Sequence, residues 1–475
     1  MVNLVCWVYS EQELTLRAIE VIKNIKEENG YDNVKFLDVN VHGKPSNGKV
    51  LVFGSRAPEG VWEGVEFIHT YSIAQIMAKA NAATVLTSSL QLYFNGVHKP
   101  PADSNWIVGR SNAKFYLSDW DFDAPTAIDI ETSGNLGETH TPEEVEIISV
   151  AFYQEGRRPL VIVSPDSDSE GSPPLWPDQL ENLSETLPKF TKAIYHNGKF
   201  DTRVLNRVLG IKLCVWFDTM LAHHVLNHAA GMHGLKELAQ RYLGAPEWEA
   251  NLKKYTKGGG YYELIPFRKL VEYNGWDVYW TYQLWKLFAP QIELDENNQK
   301  AFMFEMAVAD TLLNVEMNGI PFHVENSNLL KEENELRMSP LLTAMRKYAS
   351  DAKFNPNSHQ QVKRVLENVY HISVQSTKKE VLEELVAIYE GEEVSMWCSM
   401  LLEYRGLAKQ NSTYVDGWGK HARKLPGDTQ KRVRPTFLVH GTSTGRLSST
   451  SPNAQNVPRN KTVRKIVTLE GNNDA

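Results

Sequence analysis

The sequence predicts an α/β fold over roughly its first 300 residues and a mainly α-helical remainder. Short apolar, β-branched runs such as residues 127–132 are typical of strands. Amphipathic patterns such as residues 268–288 alternate with these runs and indicate helices. From about Gln299 the helical patterns become longer. A chain of 475 residues is long enough for roughly two or three domains, each with its own core.

The composition is that of an ordinary globular protein, with 42% hydrophobic and 23% charged residues. No apolar run reaches the length of a membrane span, and the apolar start at residues 2–9 is predicted to be a strand, not a signal peptide. The three cysteines, Cys6, Cys214 and Cys398, are far apart and form no Cys-x-x-Cys pattern. This usage fits a reducing cytoplasm and argues against a structural zinc site.

Residues 1–105 are predicted to form a small α/β domain. Its predicted strands are residues 3–9, 34–41 and 49–53, and its predicted helices are residues 11–28 and 72–82. A polar, proline-containing connection at residues 99–105 ends the domain. No residues in it have catalytic spacing, and Cys6 and His69 are interpreted as packing or surface residues. The sequence indicates no function for this domain.

Two acidic residues, Asp129 and Glu131, lie in the apolar strand pattern of residues 127–132. On an extended strand their spacing places both side chains on the same face. Mg²⁺ and Mn²⁺ prefer oxygen ligands, and nuclease chemistry commonly uses a pair of such ions about 4 Å apart. By itself an Asp-x-Glu strand is more often a solvated edge. A metal site therefore needs further carboxylates from elsewhere in the chain.

Two later stretches supply such carboxylates. Asp201 follows Asn197 where a short strand-like run gives way to a helical pattern. Tyr273 and Asp277 are four residues apart in the amphipathic pattern of residues 268–288, so one face of that helix presents both. Each stretch alone is a weak signal, since Tyr is usually a packing residue. The occurrence of Asp-x-Glu, Asn-x-x-x-Asp and Tyr-x-x-x-Asp in this order within about 150 residues is a far more specific signal than any one of them alone.

In this order the three motifs resemble the 3′-to-5′ proofreading exonuclease domain of family-A DNA polymerases. The resemblance implies a ribonuclease-H-like α/β domain over residues 106–292. It also implies two bound divalent ions, Mg²⁺ or Mn²⁺, and a hydrogen bond from Tyr273 to the attacking water. The metal ligands that it implies are Asp129, Glu131, Asp201 and Asp277.

The resemblance assigns roles to two further polar residues. Asn197 is expected either to contact the phosphate region of DNA or to cap the helix that carries Asp201, and we favour capping. Asp218, in a segment similar to the Asp-Thr-Met-Leu stretch of the family, is expected to be either a structural cap or a group that supports the metal ligands from behind, and not a fifth ligand. The remaining predicted elements are strands at residues 147–153 and 160–164 and helices at residues 199–209, 217–226 and 235–243. Residues 257–262 are interpreted either as a hairpin tip or as aromatic residues beside an unpaired DNA end.

Residues 293–475 resemble the thumb and the beginning of the palm of the same family. The most specific match is the stretch at residues 444–449, Thr-Gly-Arg-Leu-Ser-Ser, followed by the Pro-Asn-Ala-Gln-Asn-Val-Pro stretch at residues 452–458. The chain departs from the family at Arg434, where His is usual, and at Ala454, where Leu is usual. The DNA contacts that the resemblance implies here are Arg405, Lys409, Thr413, Tyr414, Arg432, Thr444, Arg446, Asn453, Gln455 and Asn456.

The distribution of charge supports DNA binding by this region. The whole chain has a net charge of -8, but residues 403–465 contain thirteen Lys and Arg against three Asp and Glu, a local charge of +10. Neutralisation of phosphates accounts for such a stripe, and we expect the affinity for DNA to fall steeply with added salt.

A family-A polymerase places its polymerising aspartates and its fingers beyond the region matched here. We therefore expect no nucleotide addition by this chain alone. Two explanations stay open: a naturally split polymerase whose palm and fingers are a second polypeptide, or a truncated chain. The resemblance implies a location in the cytoplasm of a bacterial or phage-infected cell. The competing interpretations are a free-standing, ribonuclease D-like exonuclease that acts on RNA, and a non-catalytic scaffold that clamps DNA.

Overall fold

The structure is a computed structural model. It describes residues 106–134, 142, 144–228, 231–249, 252, 255, 261–459 and 461–467, and the backbone of five strands within the first 70 residues. The predicted helices at residues 11–28 and 72–82, the connection at residues 99–105 and the loop at residues 257–260 lie outside the described residues. No helix in the described part of the chain combines the length and the apolar character needed to cross a membrane.

The strands near the N-terminus form one mostly parallel sheet. They are β1 Asn3–Val8, β2 Asn33–Asp38, β3 Gly48–Phe53, β4 Gly60–Trp62 and β5 Val65–Thr70. The order across the sheet is β2-β1-β3-β5-β4, and β4 pairs with β5 in the antiparallel sense. The three strands predicted in this region are confirmed, whereas β4 and β5 were not predicted.

A second sheet of six strands forms the centre of the following region. Its strands are β6 Ile107–Gly109, β7 Thr126–Thr132, β8 Ile147–Tyr153, β9 Leu160–Val163, β10 Ala193–Tyr195 and β11 Phe217–Asp218. Their order is β11-β10-β7-β8-β9-β6. The antiparallel meander β7-β8-β9 continues into β10 and β11, which run parallel to β7. This arrangement confirms the predicted ribonuclease-H-like α/β fold.

Helices flank this sheet. They are α1 Ala113–Tyr116, α2 Pro177–Thr186, α3 Gly198–Leu209, α4 Thr219–Leu226, α5 Leu235–Leu243, α6 Phe267–Glu293 and α7 Glu296–Asn318. The predicted helix at residues 217–226 begins two residues late because Phe217–Asp218 pairs with β10 as a strand. Every residue of β8 is buried, and Phe152 of that strand stacks on Phe190 in the core. The helices therefore cover the sheet and leave the end of β7 for polar residues.

Gly275 lies inside α6, where glycine costs about 1 kcal/mol relative to alanine. A Cβ at this position would lie 2.7 Å from the ring of Trp106. The indole of Trp106 fills this space and donates a hydrogen bond from Nε1 to the carbonyl oxygen of Glu272 at 3.2 Å. The glycine is therefore needed for the close approach of Trp106 to α6.

The chain divides into two compact units. The first comprises Met1–Asn314 and Leu438–Ser448, and the second comprises Val315–Phe437 and Ser449–Ala475. The division into domains at residues 105 and 292 stays a prediction.

The second unit is mainly helical. Its principal elements are α8 Val324–Ala349, α9 His359–Asn368, α10 Lys379–Ile388, α11 Glu393–Gln410 and α12 Lys461–Arg464. A π-helical turn, Asn411–Gly417, follows α11 directly. Trp397 and Cys398 are fully buried in one core, and Trp418 and Val433 lie in another. The predicted change to long helices after residue 299 is confirmed.

Short strands complete the described chain. They are β12 Ile320–Pro321, β13 Ala422–Arg423, β14 Arg432–Val433, β15 Thr436–Leu438 and β16 Ser448–Thr450. In the second unit β14 pairs with both β12 and β13 in the antiparallel sense.

Candidate metal centre

Strand β7 presents two carboxylates on one face. Alternation along the strand buries Ile128 and Ile130 in the core and turns Asp129 and Glu131 to the other side of the sheet. The pairing between β7 and β8 shifts its register between Glu131 and Thr132, next to the second carboxylate. Such irregularities re-aim side chains at the ends of strands. The two acids therefore lie where the regular ladder ends.

Helix α6 brings a third carboxylate to this strand. One oxygen each of Asp129, Glu131 and Asp277 lie within 4.8 Å of one another. Asp201, in the first turn of α3, accepts a hydrogen bond from the backbone N–H of Ile130 at 3.2 Å through Oδ1. Asp201 is therefore held against the strand residue between the two acids. The carboxylates of Asp201 on α3 and Asp277 on α6 thus lie close to the two acids of β7.

Tyr273 lies one turn before Asp277 on α6, and its side chain is buried. Its hydroxyl accepts a hydrogen bond from Nζ of Lys236 at 2.6 Å. The same ammonium lies 3.2 Å from Oδ2 of Asp277. The sequence predicted Tyr273 from its spacing but gave no signal for Lys236, because a lysine in an amphipathic helix is usually a solvated residue.

An amide holds Asp129. Asn274 on α6 is fully buried and donates a hydrogen bond from Nδ2 to Oδ2 of Asp129 at 2.6 Å. The hydroxyl of Ser149 donates to Oδ1 of Asn274 at 2.9 Å, which fixes the orientation of the amide. Ser149 is the β8 partner of Glu131 in the sheet register. These two residues were also missed from sequence, although Asn274 lies within the Tyr-x-x-x-Asp motif.

Asp277 is held on both of its oxygens. The indole Nε1 of Trp248 donates to Oδ1 at 2.7 Å, and Nζ of Lys236 donates to Oδ2. Trp248 is itself packed by Trp280, with the two rings stacked at 6.1 Å. No spacing rule links Trp248 to Asp277, so the sequence gave no signal for this contact.

The electrostatics of the cluster follow from burial and crowding. Burial raises the pKa of Asp129, and the charges of Asp201 and Asp277 raise it further. Burial likewise raises the pKa of Glu131, Asp201 and Asp277. Carboxylates in such surroundings favour their neutral forms unless positive charge is brought to them. The cluster is therefore a strong attractor of cations.

The donor set fits a divalent cation that prefers oxygen. The clustered ligand atoms are carboxylate oxygens, and the described residues provide no His or Cys ligand in this group. Mg²⁺ and Mn²⁺ are bound by such ligands, whereas structural zinc sites use nitrogen and sulfur.

Comparison with known proteins agrees with this geometry. Residues 123–293 match the family described as 3′-5′ exonuclease, and residues 324–472 match the family described as DNA polymerase family A. The chain belongs to DNA polymerase family A. It carries the 3′-5′ exonuclease domain of that family and the start of its polymerase domain.

Several curated DNA polymerases are similar to the chain. It is 29% identical over 308 residues to the DNA polymerase of Escherichia phage T5, which covers 57% of this chain and 35% of that protein. It is 30% identical over 288 residues to DNA polymerase I of Chloroflexus aurantiacus, covering 57% and 29% respectively. DNA polymerase I of Bacillus caldotenax is 32% identical over 261 residues, covering 52% and 28%. The chain thus matches about a third or less of the length of these relatives.

A solved structure shares the fold. It is described as the POL domain of Pol1 from M. smegmatis in complex with DNA primer-template and dNTP. The match has a TM-score of 0.58 at 20% identity and covers 76% of this chain and 57% of that chain. At this identity the likeness shows a shared fold and no more.

The start of α3 in the exonuclease domain is capped by Asp218. Its Oδ1 accepts from the backbone N–H of Asn197 at 3.1 Å, and its Oδ2 accepts from that of Gly198 at 2.8 Å. Oδ1 also accepts from Met220 and Leu221 at the start of α4. The prediction that Asp218 is a structural cap is confirmed.

Asn197 occupies the N-cap position of α3 with a φ of 62°, but its side chain makes no cap hydrogen bond, so the favoured capping role was wrong. The side chain of Asp218 supplies that acceptor instead.

The DNA contacts predicted from the family-A resemblance fall into two groups. Six of these side chains are exposed: Lys409, Thr444, Arg446, Asn453, Gln455 and Asn456. The others are at least partly buried. Arg405 donates to the carbonyl oxygens of Pro356 and Thr377, and the hydroxyl of Tyr414 donates to the carbonyl oxygen of Asn456 at 2.5 Å.

Two more of these residues lie in the second unit. Arg432 donates to the carbonyl oxygens of Asn318 and Gly319, and Thr413 lies in the π-helical turn. For all of these residues, and for Asn197, DNA contact stays a prediction. Arg434, the departure from the family's usual His, is buried and pairs with Asp428 at 2.8 Å.

Proposed function

We propose that this chain removes nucleotides from the 3′ end of DNA by hydrolysing the terminal phosphodiester bond. The observation that carries the proposal is the convergence of Asp129, Glu131 and Asp277, whose ligand oxygens lie within 4.8 Å of one another, with Asp201 against the same strand. Three clustered acids, with Asp201 against the same strand, are costly unless cations neutralise their charge. The match to a 3′-5′ exonuclease family over residues 123–293 supports the choice of reaction.

The four carboxylates would hold two divalent ions, Mg²⁺ or Mn²⁺. When bound, such ions lower the pKa of a coordinated water and stabilise the charge that develops on the phosphate. The protein residues would act around them. Glu131 would orient the attacking water, and the hydroxyl of Tyr273 would hydrogen-bond it. Asn274 would keep Asp129 in position through its 2.6 Å hydrogen bond.

Residues 403–465 would bind a primer–template duplex. The observation that supports this is the excess of Lys and Arg over Asp and Glu in residues 403–465, thirteen against three. The match to DNA polymerase family A over residues 324–472 points to the same partner. Exposed residues such as Arg446 and Lys409 would contact phosphates, where charge neutralisation dominates affinity.

Nucleotide addition would require a palm and fingers together with this chain. The relatives that it matches are about three times as long as the matched region, and they include phage and bacterial polymerases. We propose that a palm and fingers, in a continuation of the same polypeptide or on a partner polypeptide in the cytoplasm of the same cell, complete the polymerase. Co-purification followed by mass spectrometry tests this directly. Recovery of a protein with family-A palm and fingers supports the proposal, and full polymerase activity of the purified chain alone contradicts it.

The exonuclease activity is tested with 5′-labelled single-stranded DNA and RNA in Mg²⁺. We expect the wild type to shorten DNA from its 3′ end, and Asp129→Ala to lower the rate by at least about a hundredfold, because a ligand shared by the metal cluster is lost. Asp123→Ala is the matched control, since Asp123 is an exposed acid just before β7.

Each contrary result has a clear meaning. Strong preference for RNA would replace the proposal with a ribonuclease D-like function. Equal rates in Asp129→Ala and the wild type, with duplex binding intact, would leave a DNA-clamping scaffold.

A further inference from the structure

One cation extends into the acidic cluster of the exonuclease domain. Lys236 is the second residue of α5, and its ammonium donates to the hydroxyl of Tyr273 at 2.6 Å and to Oδ2 of Asp277 at 3.2 Å. The ammonium also lies 4.5 Å from the centre of the Tyr273 ring. A lysine ammonium has three donors and no acceptor, so both oxygens act as acceptors toward it. Lys236 therefore binds Asp277, one of the acids that would also bind a metal ion.

Two donors to Asp277, Trp248 and Lys236, differ in how easily they can move. Trp248 holds Oδ1 from a buried, stacked position. Lys236 holds Oδ2 from the end of a flexible stem, and its side chain is 30% exposed, against 5% for Asp277. A divalent ion that binds an oxygen of Asp277 competes with the donor on that oxygen. Lys236, on Oδ2, can move away more easily than Trp248, on Oδ1.

We propose that Lys236 is an internal counter-cation of the exonuclease site that competes with the divalent ion for Asp277. This inference rests on the proposed exonuclease function and deepens it. Before an ion binds, the ammonium balances part of the negative charge of the cluster and holds the Tyr273 hydroxyl in place. When an ion binds, the ammonium yields Oδ2 of Asp277 and stays beside the site, as a positioning residue for Tyr273.

The charge state of Lys236 agrees with this role. Burial by itself would lower the pKa of this amine, but the carboxylates of Asp277 and Glu131 raise it, and the net shift is upward. Glu249 and Asp129 act in the same direction. The side chain is therefore an ammonium at neutral pH and repels a second cation at close range.

The affinity for Mn²⁺ in the absence of DNA tests the proposal. We expect Lys236→Met to bind Mn²⁺ at least about tenfold more tightly than the wild type, because a competing charge is removed from the site. Lys236→Arg keeps the charge and should stay within about threefold of the wild type. Lys286→Met is the matched control for overall charge, since Lys286 forms an exposed ion pair with Glu155. Titration calorimetry, or electron paramagnetic resonance of free Mn²⁺, gives the affinities.

The sign of the change separates this role from a purely structural one. A lysine that only supports the fold of the site would, when removed, loosen the site and weaken Mn²⁺ binding. Unchanged or weaker binding by Lys236→Met, with a circular dichroism spectrum like that of the wild type, would overturn the proposal. Should this variant not fold, Lys236→Gln removes the same charge and is held to the same criterion.

Hydrolysis of single-stranded DNA provides a second readout. At saturating Mn²⁺ we expect Lys236→Met to be about tenfold slower than the wild type, because the Tyr273 hydroxyl has lost the ammonium that holds it. If the wild type neither binds Mn²⁺ nor digests DNA, the proposed exonuclease function itself is wrong. If the wild type does both and Lys236→Met gains no affinity, only the role of Lys236 is wrong.

Discussion

Asp129 is held in the metal centre by a neutral group. The amide of Asn274 donates to Oδ2 of Asp129, and the hydroxyl of Ser149 fixes that amide from the other side. Hydrogen bonds to metal-binding carboxylates commonly set the position of the ligand and contribute strongly to metal affinity. This relay leaves Oδ1 of Asp129 available to a metal ion.

Removing the amide should therefore impair the exonuclease. We expect Asn274→Leu, which keeps the approximate volume, to lower the exonuclease rate by about ten- to a hundredfold. Ser149→Ala should have a smaller effect, about threefold, because it only releases the orientation of the amide. Digestion of labelled single-stranded DNA at several Mg²⁺ concentrations measures both. Thr281→Val is the control, since Thr281 is a buried residue of the same helix whose hydroxyl has no hydrogen-bond partner among the described residues. A rate for Asn274→Leu within twofold of the wild type would contradict the relay.

Some residues of this centre could be predicted from a local sequence pattern, and others could not. Asp129 with Glu131, and Tyr273 with Asp277, are each defined by the period of a single strand or helix, so the sequence predicts that each pair shares a face. Lys236 and Trp248 reach Asp277 from segments 41 and 29 residues away. Nothing local distinguishes them from a surface lysine and a packing tryptophan. Only the packing of α5 and the following segment against α6 brings them to the acid.

At the scale of elements, a histidine ties three segments of the first unit together. His224 on α4 lies 2.9 Å from Oε1 of Glu305 on α7, and its Nε2 lies 3.3 Å from the carbonyl oxygen of Thr442. The hydrogen bond to Glu305, opposed in part by burial, raises the pKa of His224 above its ordinary value. Because the folded-state pKa lies above the unfolded value, the resulting stability is complete below about pH 6.5. It is lost as the pH rises through the folded-state pKa.

Glu305→Gln should destabilise the protein in a manner that depends on pH. We expect a loss of about 1 to 2 kcal/mol in the free energy of unfolding at pH 6 and a smaller loss at pH 9, because the stability from the charged pair falls as the pH rises through the raised pKa of His224. Urea unfolding followed by tryptophan fluorescence measures this. Glu296→Gln on the same helix is the control, because Glu296 pairs with Lys300 in an exposed ion pair that should contribute little at either pH. A loss for Glu305→Gln that is equal at both pH values would contradict the charged pair.

Secondary structure could be predicted where a long stretch of sequence shows uninterrupted helical or strand periodicity. The pattern at residues 268–288 became α6, Phe267–Glu293, and residues 235–243 matched α5 at both ends. The short strands β4, β6 and β11 were missed because two or three residues carry no measurable period. The capping of α3 could not be assigned correctly from Asn197, because its acceptor comes from Asp218, twenty-one residues later.

At the scale of the whole molecule, charge is distributed unevenly. The net charge is -8, yet residues 403–465 have a local charge of +10. Exposed arginine and lysine side chains such as Arg446 and Lys409 are therefore free to meet phosphates, while the acidic cluster on β7 and α6 attracts metal ions. Positive charge would thus serve the proposed DNA binding, and negative charge the proposed metal binding.

Arg446→Ala should weaken duplex binding without slowing digestion of single strands. We expect about a three- to tenfold loss of affinity for a primer–template duplex, and a decrease of about one in the slope of log affinity against log salt. Fluorescence anisotropy at several salt concentrations measures both quantities. Lys300→Ala removes an exposed charge on α7 and should leave the affinity and the slope unchanged. Equal salt slopes for Arg446→Ala and the wild type would show that Arg446 contacts no phosphate.

The Leu438–Ser448 segment belongs to the first unit although residues 315–437 separate it from the rest of that unit. His224 contacts Thr442, and the rings of His233 and His440 lie 5.9 Å apart, so the segment is joined to α4 and the loop after it. During translation, His224 and His233 can make these contacts only after residues 315–437 have been synthesised. The entropy lost in closing so long a loop falls if those residues have already become compact. Completion of the first unit is thereby coupled to translation of the chain through Ser448.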